Sequence, residues 1–192
     1  RSLLSARART ALFDIPTDPD GLMRHYLLSP SDLELIRTRR RDENRFGLAV
    51  HISLLRHPGQ GWRDGVVLPA ALLDWLGDQL HLRESHLLNY ASRGATRAAH
   101  QALAMQCLDL APFTKTHMAV AEDIATKAAF ATDHGVKIVE TLIADLRKHH
   151  LVLPSVDTLE RLALKGRARA RREAAAALFD ALSPEQRDQL QA

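Results

Sequence analysis

Apolar residues recur at spacings of three and four along most of the chain, which is the pattern of amphipathic helices. Between residues 46 and 55 they cover so wide an arc that the helix carrying them is expected to be buried on most of its circumference. The run 66–68, which could belong to a strand, is too short to indicate a sheet. The pattern therefore predicts an all-α fold.

Helix start signals divide this pattern into elements. Ser29, Pro30 and Asp32 combine a capping hydroxyl, a first-turn proline and an acidic residue, so a helix is expected to begin there. The next helix is expected to begin near Asp42. Further helices are predicted from Pro69, around 87–91, over 96–110, from Thr114, from Gly135, from Ser155 or Asp157 and, after a second cap pattern, from Ser183.

Glycine and proline indicate how these elements are grouped. Pro58, Gly59, Gly61 and Gly65 mark the longest irregular stretch. Gly94 is interpreted as a joint between two modules, which gives domains 1–92 and 93–192. The expected architecture is two tandem helical modules of helix-turn-helix type, followed by a long basic helix.

Composition supports a globular helical protein. Hydrophobic residues make up 46% and charged residues 26% of the chain, and the low aromatic share of 5% leaves Ala, Leu and Arg dominant, which favours helices. Cys107 is the single cysteine, so an intramolecular disulfide and a cysteine-based zinc site are excluded, and a reducing, cytoplasmic setting is expected. Charges interrupt every long apolar run before about 18 residues, so no membrane span is expected.

The first basic cluster bridges two predicted helices. Residues 37–45 read RTRRRDENR, and a short arginine-bearing connection between helices is what a helix-turn-helix uses to touch phosphates and enter the major groove. Guanidinium groups match phosphate and guanine edges, and asparagine can pair with adenine. The alternative is that these arginines complement the helix dipole and pair with Asp42 and Glu43. The candidate DNA contacts are Arg37, Arg39, Arg40, Arg41, Asn44 and Arg45.

A second basic cluster, residues 161–172, reads RLALKGRARARR. On a helix its small and apolar residues share one face, and its basic residues form a stripe that could follow a DNA backbone. The alternative is a surface helix kept soluble by arginine. Gly166 costs about 1 kcal/mol relative to Ala in a helix interior, which indicates a close contact or a bend there. The candidate backbone contacts are Arg161, Lys165, Arg167, Arg169, Arg171 and Arg172.

A third candidate is the predicted helix start that follows Pro112 and carries Thr114, Lys115 and Thr116. Exposed helix N-termini bind phosphates through free backbone N–H groups and a favourable dipole. The simpler interpretation of this feature alone is that its small polar residues cap the helix.

Signals of catalysis are weak. His149 and His150 are adjacent, so on a helix they point about 100° apart and chelate one metal poorly. No HExxH, paired-cysteine, Walker-type or nucleotide-binding glycine motif occurs in the sequence. We therefore expect no catalytic residue, no metal site and no cofactor in this chain.

Four stretches closely resemble the amino-terminal region of Tn-three-family transposases. They are residues 13–59 (from FDIPTDPDG to LLRHPG), 68–80 (LPAALLDWLGDQL), 90–100 (YASRGATRAAH) and 151–173 (LVLPSVDTLERLALKGRARARRE). Together they extend over nearly the whole chain in the expected order. Because the sequence also opens without Met, we interpret it as a piece cut from a longer protein.

The resemblance implies that full-length relatives recognise the terminal inverted repeats of their transposon and perform replicative transposition in the bacterial cytoplasm, in association with the nucleoid. Cleavage and strand transfer would use an acidic, metal-binding triad in a later domain outside this chain. The resemblance adds DNA contacts in the second module, namely Arg93, Thr96, Arg97 and His100.

The predicted function is therefore sequence-specific binding of double-stranded DNA at transposon ends, without catalysis. The alternative is a protein-interaction or dimerisation module, in which the basic final helix packs on another transposase domain or a second protomer. An exposed apolar patch at Leu178, Phe179 and Leu182 would favour that alternative.

Overall fold

The computed structural model describes residues 3–63, 65–90, 94–183 and 186. Within these ranges the chain is helical, and its closest approach to a sheet is one isolated parallel bridge between Ala111 and Leu151, so the predicted all-α class is confirmed. The α-helices are α1 (Ala6–Ala11), α2 (Pro19–Tyr26), α3 (Pro30–Arg37), α4 (Asp42–Arg56), α5 (Ala70–Leu80), α6 (Gly94–Cys107), α7 (Met118–Ala131), α8 (Gly135–Lys148) and α9 (Val156–Asp180). Short 3-10 helices span Glu84–Asn89 and Lys115–His117.

The helices form two compact units. The α2–α6 unit comprises Thr10–Phe113 and His149–Leu153, and the α7–α9 unit comprises Arg1–Arg9, Thr114–Lys148 and Pro154–Ala192. The joint predicted at Gly94 falls inside the first unit, because α6 packs against α4 and contributes Ala104 to its core. The division into DNA-binding modules 1–92 and 93–192, and their helix-turn-helix character, stay predictions.

The start of α3 follows the predicted cap. The Asp32 backbone N–H donates to Ser29 Oγ at 3.2 Å, and the Ser29 backbone N–H donates to the Asp32 carboxylate at 2.7 Å. Pro30 occupies the first helical position, where its missing N–H costs nothing. Arg56 donates to both Asp32 oxygens at 2.9 Å, so this cap also ties the end of α4 to the start of α3.

Helix α4 is the centre of the α2–α6 unit. Every residue from Phe46 to Leu55 is buried, as the wide apolar arc predicted. Buried side chains from α2, α3 and α5 surround it, including Tyr26, Ile36 and Leu72. Only the first and last turns of α4 therefore remain accessible to a ligand.

The α7–α9 unit is a three-helix arrangement in which α8 buries its apolar face and α9 crosses α7 closely. A Cβ at Gly166 would lie 2.6 Å from the backbone carbonyl carbon of Ala125 and 2.7 Å from the backbone nitrogen of Thr126. The close contact predicted at Gly166 is therefore confirmed. Ser155 caps α9 as expected, since its side chain accepts a hydrogen bond from the Thr158 backbone N–H.

Several elements differ from prediction. Helices α1 and α2 were not predicted, although Asp18 and Pro19 carry the cap and first-turn signals that begin α2. Where a short helix was predicted around 87–91, the structure has the 3-10 helix Glu84–Asn89, and α6 ends at Cys107. In the predicted terminal helix, the Ser183 backbone N–H donates to Gln186 Oε1 at 3.0 Å, and the remaining residues lie outside the described ranges. None of the helices in the part of the chain described here is long and apolar enough to cross a membrane.

Candidate nucleic-acid interface

The turn from α3 to α4 and the middle of α6 together form a polar cleft of about 380 Å³, called here the arginine cleft. It brings together predicted contacts from both halves of the sequence. Its lining residues are Thr38, Arg39, Arg40, Arg41, Asn44 and His100.

The backbone of the turn shapes one wall of this cleft. The Thr38 hydroxyl donates to the Leu35 carbonyl at 2.6 Å, and this bond closes the last turn of α3. Arg41 occupies the position before α4, and no described side chain caps the first turn of that helix. Uncapped N–H groups and the positive end of the helix dipole therefore lie beside three arginines, which favours an anion.

The arginines of the first cluster have different surroundings. Arg40 is exposed and makes no ion pair with the described residues, whereas Arg41 lies 3.8 Å from Glu43. Arg45 donates through Nε to the Arg39 carbonyl at 2.8 Å and pairs with Asp42 at 3.1 Å. The local pairing that we set against DNA contact is therefore present for two of these side chains.

Two predicted contacts of this cluster lie outside the lining of the arginine cleft. Arg37 and Arg45 instead line a separate cavity of about 180 Å³, shared with apolar side chains of α3 and α5. Arg37 is exposed at the end of α3, so its guanidinium can still reach a ligand.

His100 enters the cleft from α6. Its ring belongs to a group of four packed aromatic rings, called here the aromatic layer, which consists of His51, Trp62, Tyr90 and His100. The Tyr90 hydroxyl lies 2.9 Å from His100 Nδ1, and the Tyr90 ring stacks on Trp62 with an interplanar angle of 4°. Burial lowers the pKa of His100, and the neighbouring Arg39 guanidinium lowers it further. His100 is therefore mostly neutral at pH 7, although it lines the arginine cleft.

The other predicted contacts of α6 are placed differently. Arg97 lies with its guanidinium carbon 4.4 Å from the centroid of the Trp62 ring, so it packs on the aromatic layer. Thr96 is half-buried on the same helix. Arg93 lies outside the described residues.

Sequence reasoning missed Trp62, Tyr90 and Gly47 as parts of this region. Gly47 on α4 leaves the space that the Tyr90 ring occupies, because a Cβ there would collide with three ring atoms. Trp62 belongs to an irregular stretch, so no helical spacing could connect it to the cleft.

The basic residues of α9 are partly neutralised inside the α7–α9 unit. Lys165 lies 3.7 Å from Glu122, Arg169 lies 2.5 Å from Asp123, and Arg171 pairs with Asp133 at 2.5 Å. The hydrogen bond from Arg171 lowers the pKa of Asp133, which keeps that carboxylate charged.

The remaining basic residues of α9 differ from these three. Arg161 and Arg172 are exposed and make no ion pair with the described residues, and Arg167 is half-buried. Arg161 and Arg172 are therefore the α9 charges most accessible to a phosphate.

The helix start near residue 114 has the geometry of a self-contained cap. The Thr114 backbone N–H donates to His117 Nδ1 at 3.0 Å, and the hydroxyls of Thr114 and Thr116 are 2.7 Å apart. Lys115 is exposed between them. The polar groups of this turn thus satisfy one another, in line with the simpler of the two interpretations.

Comparison with known proteins identifies relatives along the whole chain. The transposase for transposon Tn3926 from Escherichia coli is 35% identical over 192 residues, which is 99% of this chain. The transposase for transposon Tn501 from Pseudomonas aeruginosa is 33% identical over 190 residues, again 99% of the chain. The chain spans 19% of the length of each of these relatives.

A family match covers most of the chain. Residues 3–166 match the family described as "Domain of unknown function (DUF4158)". This range contains every helix from α1 to α8 and the first part of α9. The chain therefore belongs to the DUF4158 family, and its relatives are transposases of the Tn-three family.

Proposed function

We propose that this chain binds double-stranded DNA at the terminal inverted repeats of a transposon, as the end-recognition part of a replicative transposase. The observation that carries the proposal is the arginine cleft, in which the α3–α4 turn supplies three arginines and α6 supplies His100. The transposase relatives support a partner of this class. Cleavage and strand transfer are proposed to belong to parts of the full-length protein outside this chain, and no cofactor is proposed here.

Burial of α4 limits how DNA can be contacted. A recognition helix normally presents several residues to the major groove, but residues 46–55 of α4 are all buried. Its first turn is accessible and adjoins the arginine cleft. Arg39, Arg40 and Arg41 are therefore proposed to hold phosphates, and Asn44 is the residue of this segment placed to reach a base edge.

Basic residues elsewhere would add backbone contacts. Arg161 and Arg172 expose charges that no described carboxylate pairs. Lys165, Arg169 and Arg171 carry charges already balanced by α7 and the turn that follows it, so we propose weaker contributions from them. Phosphate contacts from the arginine cleft and from α9 give affinity without sequence information. Specificity must therefore come from residues at base edges or from DNA shape.

Substitution of single arginines tests the proposal. Arg40→Ala should weaken binding to any duplex and reduce the slope of log affinity against log salt by about one, because one phosphate contact is lost. Arg24→Ala is the matched control, since Arg24 is an exposed arginine on α2 outside the cleft. Equal effects of the two substitutions would contradict the proposed role of the cleft.

The end of α9 favours a second candidate function, a protein-interaction module. All residues from 171 to 180 are exposed, and Leu178 and Phe179 leave 70% and 38% of their surface to solvent. An apolar helix end of this kind can pack on another domain or a second copy of the chain. Sedimentation of the purified chain should then show self-association that Leu178→Ser removes, whereas a monomer at all concentrations would contradict self-association.

A further inference from the structure

His100 is an unusual member of the arginine cleft because it is only 5% exposed and is mostly neutral at pH 7. A neutral imidazole carries one N–H donor and one acceptor nitrogen, and the hydrogen bond at one nitrogen decides the role of the other. In this structure the partner of Nδ1 is the Tyr90 hydroxyl, at 2.9 Å. Tyr90 therefore determines whether the other ring nitrogen of His100, Nε2, carries a proton or a lone pair.

Tyr90 is placed to donate this hydrogen bond. Burial raises the pKa of Tyr90, so the phenol keeps its proton at neutral pH. A buried hydroxyl proton needs an acceptor, and among the described residues the hydrogen-bond partner of this hydroxyl is His100 Nδ1. With Nδ1 accepting, the proton of the imidazole resides on Nε2.

We propose that Tyr90 is a positioning residue that holds His100 as the Nε2–H tautomer, so that His100 donates a hydrogen bond to one DNA phosphate held by the arginine cleft. This inference rests on the proposed function and names the group that the cleft would take. The wrong tautomer would direct a lone pair at the phosphate oxygen and repel it.

The surroundings of Tyr90 fit this role. Its ring is fixed between Trp62, with ring centroids 5.7 Å apart, and the surface of α4 at Gly47. The charged or titratable side chains beside Tyr90 and His100 include Arg39 from the turn, Arg97 from α6 and His51 from α4. A neutral N–H donor adds a directed contact for phosphate without placing another charge beside these guanidinium groups.

The test combines ¹⁵N NMR of the histidine side chains with duplex binding. In the wild-type chain, the His100 signals should show a proton on Nε2 and none on Nδ1. Tyr90→Phe keeps the ring and removes the hydroxyl, so both nitrogens should move toward averaged shifts, and affinity for a terminal-repeat duplex should fall by about 3- to 10-fold. Tyr26→Phe is the matched control, because the buried Tyr26 hydroxyl makes no hydrogen bond with the described residues.

The outcomes separate this inference from the proposed function. If wild-type His100 carries its proton on Nδ1, or if Tyr90→Phe binds the duplex as tightly as wild type, the role of Tyr90 is overturned while DNA binding stands. If Tyr90→Phe and Tyr26→Phe weaken binding equally, a general loss of packing explains the effect and the positioning role is wrong. If the wild-type chain binds no duplex, the proposed function itself fails.

Discussion

The ring of Tyr90 occupies the space that a side chain at Gly47 would need. Three of its ring atoms would collide with a Cβ built on that glycine. The same ring stacks on Trp62, and its hydroxyl meets His100 at the edge of the arginine cleft. The buried backbone of α4 therefore supports the candidate binding site through one aromatic side chain.

Replacing Gly47 by alanine should destabilise the protein, although alanine is the better helix former by about 1 kcal/mol. The new methyl group would displace the Tyr90 ring, which has aromatic neighbours on its other side, and overpacking of this kind costs about 1–3 kcal/mol. Duplex affinity should fall as well, since His100 would lose its partner. Chemical denaturation and duplex titration measure the two effects.

The control for this substitution is Gly94→Ala at the start of α6. None of the residues that the structure describes would lie within 4 Å of a Cβ at Gly94, so this variant should be as stable as wild type or more so. A gain in stability for Gly47→Ala would contradict the packing described here.

Gly166→Ala should destabilise the chain for a related reason. The added methyl group would meet the backbone of α7 at Ala125 and Thr126, which cannot move aside as a flexible side chain could. A loss of about 1–3 kcal/mol in the free energy of unfolding is expected. Ala168→Gly measures the intrinsic preference for alanine over glycine at an exposed position of the same helix. It should lower the free energy of unfolding by about 1 kcal/mol. A stabilised Gly166→Ala variant would show that α7 and α9 are farther apart.

Stability should fall in mild acid because of His51. Burial, assisted by repulsion from His100 once it gains a proton in acid and by the charge of Arg97, lowers the pKa of His51 to about 4. An unfolded histidine titrates near 6.5, so between about pH 6.5 and 4 the unfolded chain binds a proton at this residue that the folded chain does not bind. The free energy of unfolding should therefore decrease with falling pH, by about 3 kcal/mol in total from this residue.

The variant His51→Leu tests the assignment. Both ring nitrogens of His51 are buried without a hydrogen bond to the described residues, so an apolar replacement should be tolerated at pH 7. Denaturation curves at several pH values should then show a shallower acid dependence than wild type. An unchanged dependence would assign the acid sensitivity to other groups.

The α9 arginines should contribute unequally to DNA binding. Arg161→Ala together with Arg172→Ala removes two charges that no described carboxylate balances, and should reduce the salt slope by up to about two. Arg169→Ala together with Arg171→Ala removes the same number of charges, but those charges are paired with Asp123 and Asp133. The second pair of substitutions should change binding less, and a larger effect would mean that the ion pairs open on DNA.

Local sequence signals predicted the helices from α3 onward. The cap at Ser29 and the buried arc of α4 depend on residues within a few positions of one another. The close contact at Gly166 was predictable because glycine inside a helix has a known cost in stability. The first basic cluster was located for the same reason, because its charges are consecutive.

Contacts between distant segments were not predictable in this way. Trp62 and Tyr90 meet His100 and Arg97 only after the irregular stretch folds back on α4 and α6, and no spacing rule links them. The carboxylates that pair with Lys165, Arg169 and Arg171 belong to α7 and the turn after it, more than 35 residues away. The basic stripe seen in the sequence therefore predicts more unpaired positive charge on α9 than the structure shows.

The most direct test of the proposed function is binding of the purified chain to two duplexes across a salt series. One duplex carries the terminal inverted repeat of the element that encodes the protein, and the other carries the same bases scrambled. A preference of about 10³-fold or more for the true end near physiological salt is expected. Equal and steeply salt-dependent binding to both duplexes would reduce the arginine cleft to a nonspecific phosphate site, and no binding to either would contradict DNA recognition by this chain.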